Sequence, residues 1–249
     1  MNYFSFGTGK RAFIMLPGIS LKSVLLSAEA VAAAYADFGK DYTVYLFDAP
    51  EEIPEDCTIA FLADSVAETM QKLGISDADI FGCSMGGMIA QQLTVNYPQL
   101  VHKAVFASTC ARPGEMGIAT LSGWREFALK GDRQSLNRGF AQNVYSPEFY
   151  ALYKDVFAAM ENDGTDEELR RFVLKVNACL RFDILGELDK ISRPVLVIGA
   201  RGDHVLSGEC SVEIAEKIGC ELYMYEGYGH AVYDEAPDYK ARLLRFFAD

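Results

Sequence analysis

Ser84 stands at the centre of Gly82-Cys83-Ser84-Met85-Gly86, with Gly87 directly after. A serine at this spacing is a candidate nucleophile for attack on an acyl carbon. The spacing has a steric logic. A serine on a sharp strand-to-helix turn takes strained backbone angles, and flanking glycines remove the Cβ atoms that would collide as strand and helix close up. The hydroxyl then lies at a helix N-terminus, where free amides and the helix dipole favour developing negative charge. A serine hydroxyl also needs a base of near-neutral pKa, and three histidines are available: His102, His204 and His230. His102 lies between the helix after the serine and the next strand, on the opposite rim of a parallel sheet. His204 directly follows Asp203, and adjacent residues rarely orient one another. His230 lies in Gly227-Tyr228-Gly229-His230, after the last strand pattern. The better pairing is Asp203 with His230, which gives the order Ser84, Asp203, His230 found with this type of turn.

The elements that must position these groups alternate. Strand patterns fall at Ala12–Leu16, Tyr42–Phe47, Ala78–Gly82, Lys103–Ser108, Pro194–Ala200 and Glu221–Tyr225. Helical patterns fall at Ser23–Phe38, Ile59–Leu73, Met85–Tyr97, Glu209–Ile218 and Asp234–Phe247, the last with Pro237 in its first turn. The fully apolar runs suit central parallel strands covered on both faces. The fold class is therefore α/β, a mostly parallel central sheet flanked by helices. Both Asp203 and His230 then sit at the C-terminal rim, where such sheets place their sites. Residues 112–187 break the alternation. They read as helices at Thr120–Lys130, Arg133–Gln142, Pro147–Asn162 and Glu167–Leu180, and are expected to form a helical cap on a core made of residues 1–111 and 188–249.

The chain has 249 residues and a formal net charge of −12. That charge argues against nucleic acid and anionic membrane surfaces as partners. Residues 111–186 are near charge balance, so the acidity belongs to the core, including a loop from Asp48 to Asp56 read as a solvated rim segment. The N-terminus lacks an apolar signal region, and Ala12–Leu16 is far too short to span a bilayer, so a cytoplasmic location is expected. The six cysteines form no C-x-x-C pair and are expected to be free thiols. No zinc-type ligand cluster and no G-x-G-x-x-G occurs, so neither a metal nor a dinucleotide cofactor is implied. Oligomeric state is left open.

Five segments in order resemble the α/β-hydrolase superfamily, and within it the small capped esterase, lactonase and C–C hydrolase group. They are Gly82 to Gly87, Tyr97 to Val105, Phe182 to Gly199, Gly199 to Asp203, and Gly229-His230 with Glu235-Ala236-Pro237. The resemblance implies an acyl-enzyme on Ser84, with His230 as base oriented by Asp203. It implies an oxyanion hole made by the amides of Met85 and Ile19. It departs from the family in having Pro17-Gly18 where His-Gly is usual, and cysteine at position 83 where histidine is common. The implied substrate is a small, fairly apolar ester or related acyl compound, met by Trp124 and Phe140 of the cap and, by position, Met88 and Val232. Acyl or peroxy transfer, C–C hydrolysis and a hydrolase-fold ligand receptor remain open beside it.

Overall fold

The computed structural model describes residues 1–248. Its sheet has seven strands: β1 (Tyr3–Phe6), β2 (Arg11–Leu16), β3 (Tyr42–Phe47), β4 (Ala78–Cys83), β5 (Val101–Ala107), β6 (Val195–Ala200) and β7 (Glu221–Tyr225). Their order across the sheet is β1-β3-β2-β4-β5-β6-β7. All neighbours are parallel except β1, which pairs antiparallel with β3. Every residue of β4 and β6 is buried, as strands covered by helices on both faces require, and the one charged member, Asp79, is paired with Arg11 and His102.

The helices are α1 (Ala28–Ala34), α2 (Ile59–Lys72), α3 (Met85–Asn96), α4 (Glu115–Leu129), α5 (Arg133–Val144), α6 (Pro147–Leu152), α7 (Lys154–Met160), α8 (Asp166–Leu180), α9 (Gly208–Ile218), α10 (Val232–Glu235) and α11 (Tyr239–Ala248). One apolar core lies under α2, α3 and α9 and extends into α4, α5 and α8. A second lies on the other sheet face, where Phe13, Phe38, Phe81, Tyr239 and Phe247 pack with α1 and α11.

The connectivity locates a site. From β2 the chain moves outward to β3, then crosses back to lay β4 on the other side of β2. The strand order therefore reverses between β2 and β4, and α/β sheets open a crevice beyond the carboxyl ends of strands at such a point. Leu16 pairs with Gly82 across that junction. The loop after β2 and the turn after β4 thus emerge side by side.

Several element boundaries differ from the sequence expectation. Tyr3–Phe6 forms a strand that pattern reading passes over. The expected helix Ser23–Phe38 is a 3-10 turn at Val24–Ser27 followed by a short α1. Pro147–Asn162 divides into α6 and α7 at Tyr153. Pro237 ends α10 instead of opening a terminal helix: Ala236 before it is extended at φ −79°, ψ 123°, as a residue preceding proline must be. The acidic loop is not simply solvated. Arg170 of α8 pairs with Glu55, Arg171 donates to the Glu51 and Pro50 carbonyls, and Arg181 donates to that of Cys57 at 2.6 Å. All six cysteines are free, and five are buried.

Candidate active site

Ser84 occupies the turn between β4 and α3 with φ 53° and ψ −121°. A non-glycine residue in this region stores about 1–3 kcal/mol of strain, held only where surrounding bonds over-determine it. Here the Ser84 amide donates to the Ala107 carbonyl at 2.9 Å. Its own carbonyl accepts from Gly87 and Met88 amides and from Thr109 Oγ1 at 2.8 Å. The glycines are required by close approach: a Cβ on Gly82 would stand 2.3 Å from the Gly86 carbonyl oxygen, and one on Gly86 would stand 1.9 Å from that of Leu16. The sequence logic of the turn is thus realised in its packing.

Asp203 follows β6 and is buried. Its Oδ1 accepts the Val205 and Leu206 amides at 2.8 and 3.0 Å, and its Oδ2 lies 2.8 Å from His230 Nδ1. Burial alone would raise the Asp203 carboxyl, but His230 beside it and the Leu206 and Val205 amides together hold it below the usual carboxylate value. An ionised Asp203 fixes the proton on His230 Nδ1 and leaves Nε2 as the basic nitrogen. His230 and Ser84 line one cavity of about 240 Å³. No hydrogen bond joins their side chains among the described residues; such contacts commonly tighten only with substrate bound.

The other histidines stand apart. His204 is exposed. His102 Nδ1 lies 2.7 Å from Asp79 Oδ1, whose other oxygen takes Arg11 at 2.6 Å. That trio is built at the starts of β2, β4 and β5, on the rim opposite Ser84, as expected.

Met85 opens α3 directly after the serine, and Ile19 lies in the loop after β2. Gly18 brings that loop against Ser84: a Cβ there would be 3.2 Å from Ser84 Cβ. Neither the Met85 nor the Ile19 amide donates to another group of the chain among the described residues. Unpaired amides at the serine's own turn and in the loop packed against it are what an oxyanion would need. The loop is tied to α8, where Lys175 Nζ donates to the Ser20 carbonyl at 2.6 Å. Lys175 is buried, and this pushes its ammonium down to about 8.

Trp124 and Phe140, expected at the pocket, line the cavity with ring centroids 4.7 Å apart. Met88 and Val232 do not. Met88 packs into the core beneath α3, and Val232 is fully buried against the other sheet face. Position near the nucleophile and the base suggested them, but their side chains point into the packed layers. Cys83 borders the cavity, and burial raises its thiol to about 12, so it stays protonated. Sequence reasoning missed Tyr35, Tyr233 and Asp234 as cavity walls. The one available signal was that Tyr233 and Asp234 follow His230 by three and four positions.

The insert is joined to the histidine loop. The Ala231 amide donates to the Val144 carbonyl at 2.8 Å, and Glu235 accepts from the Ser146 amide and hydroxyl. Tyr145, between those anchors, borders the cavity.

A parallel sheet with a strained serine after its central strand, and a carboxylate–histidine pair after later strands, defines the α/β-hydrolase class of fold. Comparison with known proteins agrees: a family model described as the alpha/beta hydrolase fold matches residues 11–237, and the chain belongs to that family. It is 25% identical over 222 residues to a putative carbamate hydrolase, RutD, of Pseudomonas savastanoi pv. phaseolicola, spanning 83% of this chain and 84% of that one. Among solved structures it is similar to MGS-M2, an alpha/beta hydrolase enzyme from a Medee basin deep-sea metagenome library. There the TM-score is 0.89 at 24% identity, covering 100% of this chain and 94% of the other. It is also similar to the enol-lactonase of Burkholderia xenovorans LB400, with TM-score 0.83 and 19% identity over 100% and 96% of the two chains. No helix among the described residues is long and apolar enough to cross a membrane.

Proposed function

We propose that the protein is a serine hydrolase that cleaves a small carboxylic ester or related acyl compound through an acyl-enzyme on Ser84. The observation that carries this reading is the pairing of a backbone-strained serine with a buried Asp203–His230 hydrogen bond around one cavity. His230 Nε2 takes the proton of Ser84 as its oxygen bonds to the acyl carbon. The amides of Met85 and Ile19 receive the oxyanion. Collapse of the intermediate expels the leaving group with the proton from His230. Water, deprotonated by the same nitrogen, then releases the acid and frees Ser84. Asp203 holds the imidazole in the required tautomer and stabilises its charged form.

The apolar share of the cavity wall, with Trp124 and Phe140, fits a modest organic acyl group. Residues 112–187 act as a cap selecting that group. The carbamate hydrolase relative and the lactonase-like fold are consistent with attack on a carboxyl-level carbon, and the same site would accept an ester, lactone, carbamate or activated amide. Intact-mass measurement after treatment with a small organophosphonate tests the reading. One adduct is expected, absent in Ser84→Ala; an adduct surviving in that variant refutes it.

A further inference from the structure

A second cavity, of about 460 Å³, lies beside the catalytic one, between the loop after β2 and the insert. Ile19, Val24 and Phe140 line both spaces and form their shared boundary. The insert supplies Leu136 of α5, Met160 of α7 and Phe172 of α8 to the far walls. Two contacts hold loop and insert together around it. Lys22 Nζ pairs with Asp163 Oδ2 at 2.7 Å, and Gly164 packs so closely that a Cβ there would stand 2.7 Å from Leu21 Cδ2. Small-molecule sites commonly enclose about 300–1,000 Å³. The catalytic cavity alone, at about 240 Å³, falls below that range.

The walls of the second cavity select their guest. Lys22 is paired with Asp163, and Asn137 Nδ2 donates to the Glu161 and Asp163 carbonyls at 3.1 Å each. The Ser20 and Ser23 hydroxyls donate to the Lys22 carbonyl and to Asp48. With these polar groups committed within the chain, what faces a guest is mainly apolar. Leu136 and Phe172 are buried, while Leu26 and Met160 are 75% and 48% exposed. An apolar chain laid there would cover surface now open to water, which strengthens binding by about three- to fourfold per methylene.

We propose that the acyl part of the substrate is an elongated apolar chain that runs from Ser84 past Phe140 into this second cavity. The proposal rests on the hydrolase reading above and lengthens the modest acyl group that the serine cavity alone would hold. The chain belongs to the acyl side for a chemical reason. The leaving group must stay within reach of His230, from which it takes a proton, and no residue of the histidine loop lines the second cavity among the described residues. Ile19, whose amide is assigned to the oxyanion, stands at the shared boundary instead.

The test uses an aryl alkylphosphonate whose alkyl chain stands for the acyl chain and ends in a photoreactive diazirine. Once it has reacted with Ser84, irradiation and peptide mapping locate the chain end. Attachment to Leu21, Leu136, Met160 or Phe172 is expected. Attachment to Tyr35, Tyr233 or Asp234, or quenching by water with no attachment, overturns the proposal and leaves the hydrolase reading intact. In parallel, kcat/KM for straight-chain aryl esters from acetate to decanoate, kept below their micelle-forming concentrations, should rise by about tenfold or more. A flat or falling profile overturns the proposal even where the chain end attaches as expected, because the cavity would then receive the chain without selecting it. If neither this probe nor a small phosphonate labels Ser84, the hydrolase reading falls and the proposal with it. If only the small phosphonate labels Ser84, the proposal falls alone.

Discussion

The substitution Asp203→Asn isolates one step of the proposed mechanism, because the structure dictates how the new amide must sit. Oδ1 of Asp203 accepts two amides, from Val205 and Leu206, while Oδ2 faces His230 Nδ1. In the asparagine variant the carbonyl oxygen must keep the two backbone donors. Turning the NH2 toward them would leave two buried amides unpaired, at about 1–3 kcal/mol each. The NH2 therefore points at His230 Nδ1, which must become an acceptor. The ring proton moves to Nε2, the nitrogen that should take the proton of Ser84. The base is lost with its geometry intact. A loss of this kind lowers kcat by about four orders of magnitude, or about 5 kcal/mol of barrier. Stopped-flow hydrolysis of an activated aryl ester measures it, with circular dichroism confirming the fold. His204→Ala is the control, since that ring is exposed and should cost less than about twofold. An Asp203→Asn rate within about tenfold of wild type would refute the assignment, as would a larger loss in the control.

Trp124→Ala or Phe140→Ala should change the acyl-length profile of kcat/KM by about tenfold, roughly 1.4 kcal/mol of differential binding, and leave Ser84 labelling by a very small phosphonate nearly unchanged. Loss of labelling in the folded variants would mean that residues 112–187 supply a catalytic group. Asp79→Ala removes the buried partner of Arg11 and His102; because those two are partly exposed, the expected cost is about 2 kcal/mol of stability with ester kinetics intact, read by thermal melts and initial rates. Reduced kcat per folded molecule would contradict the placement of that trio on the far rim. Lys175 has a folded pKa of about 8, below its unfolded 10.5, so the unfolded chain holds the extra proton between those values and wild-type stability gains from this group as pH rises through that window. Lys175→Met should remove a gain of at most about 3 kcal/mol from the pH dependence of chemical denaturation; identical curves for the two proteins would show that Lys175 is not buried as a cation.

Where the sequence and the structure part company, the cause is distance along the chain. The turn at Ser84 was legible because its pattern is local: Gly82, Gly86 and the serine lie within five residues, while the clashes that the glycines prevent reach Ala90 of α3 and the end of β2 at Leu16 as well as the turn itself. The Asp203–His230 pairing was legible for a related reason, since both follow apolar strands whose parallel order fixes which rim they reach. Met88 and Val232 misled because nearness in sequence to a reactive residue says nothing about which layer a side chain enters. On α3 one face meets the sheet, and Met88 lies on the packed side. The acidic loop misled in the opposite sense. Its composition reads as solvated, and only the tertiary arrangement brings Arg170, Arg171 and Arg181 of the α8 segment onto it. That attachment changes what the insert is. It meets the body through arginine contacts at one side and through Ser146 with Glu235 at the other, and Lys175 grips the loop that carries Ile19. The segment proposed to choose the substrate is therefore mechanically joined to both the loop after β2, proposed to supply an oxyanion donor, and the histidine loop. Displacing it should disturb the chemistry through these contacts even though none of its side chains enters the proposed proton transfers.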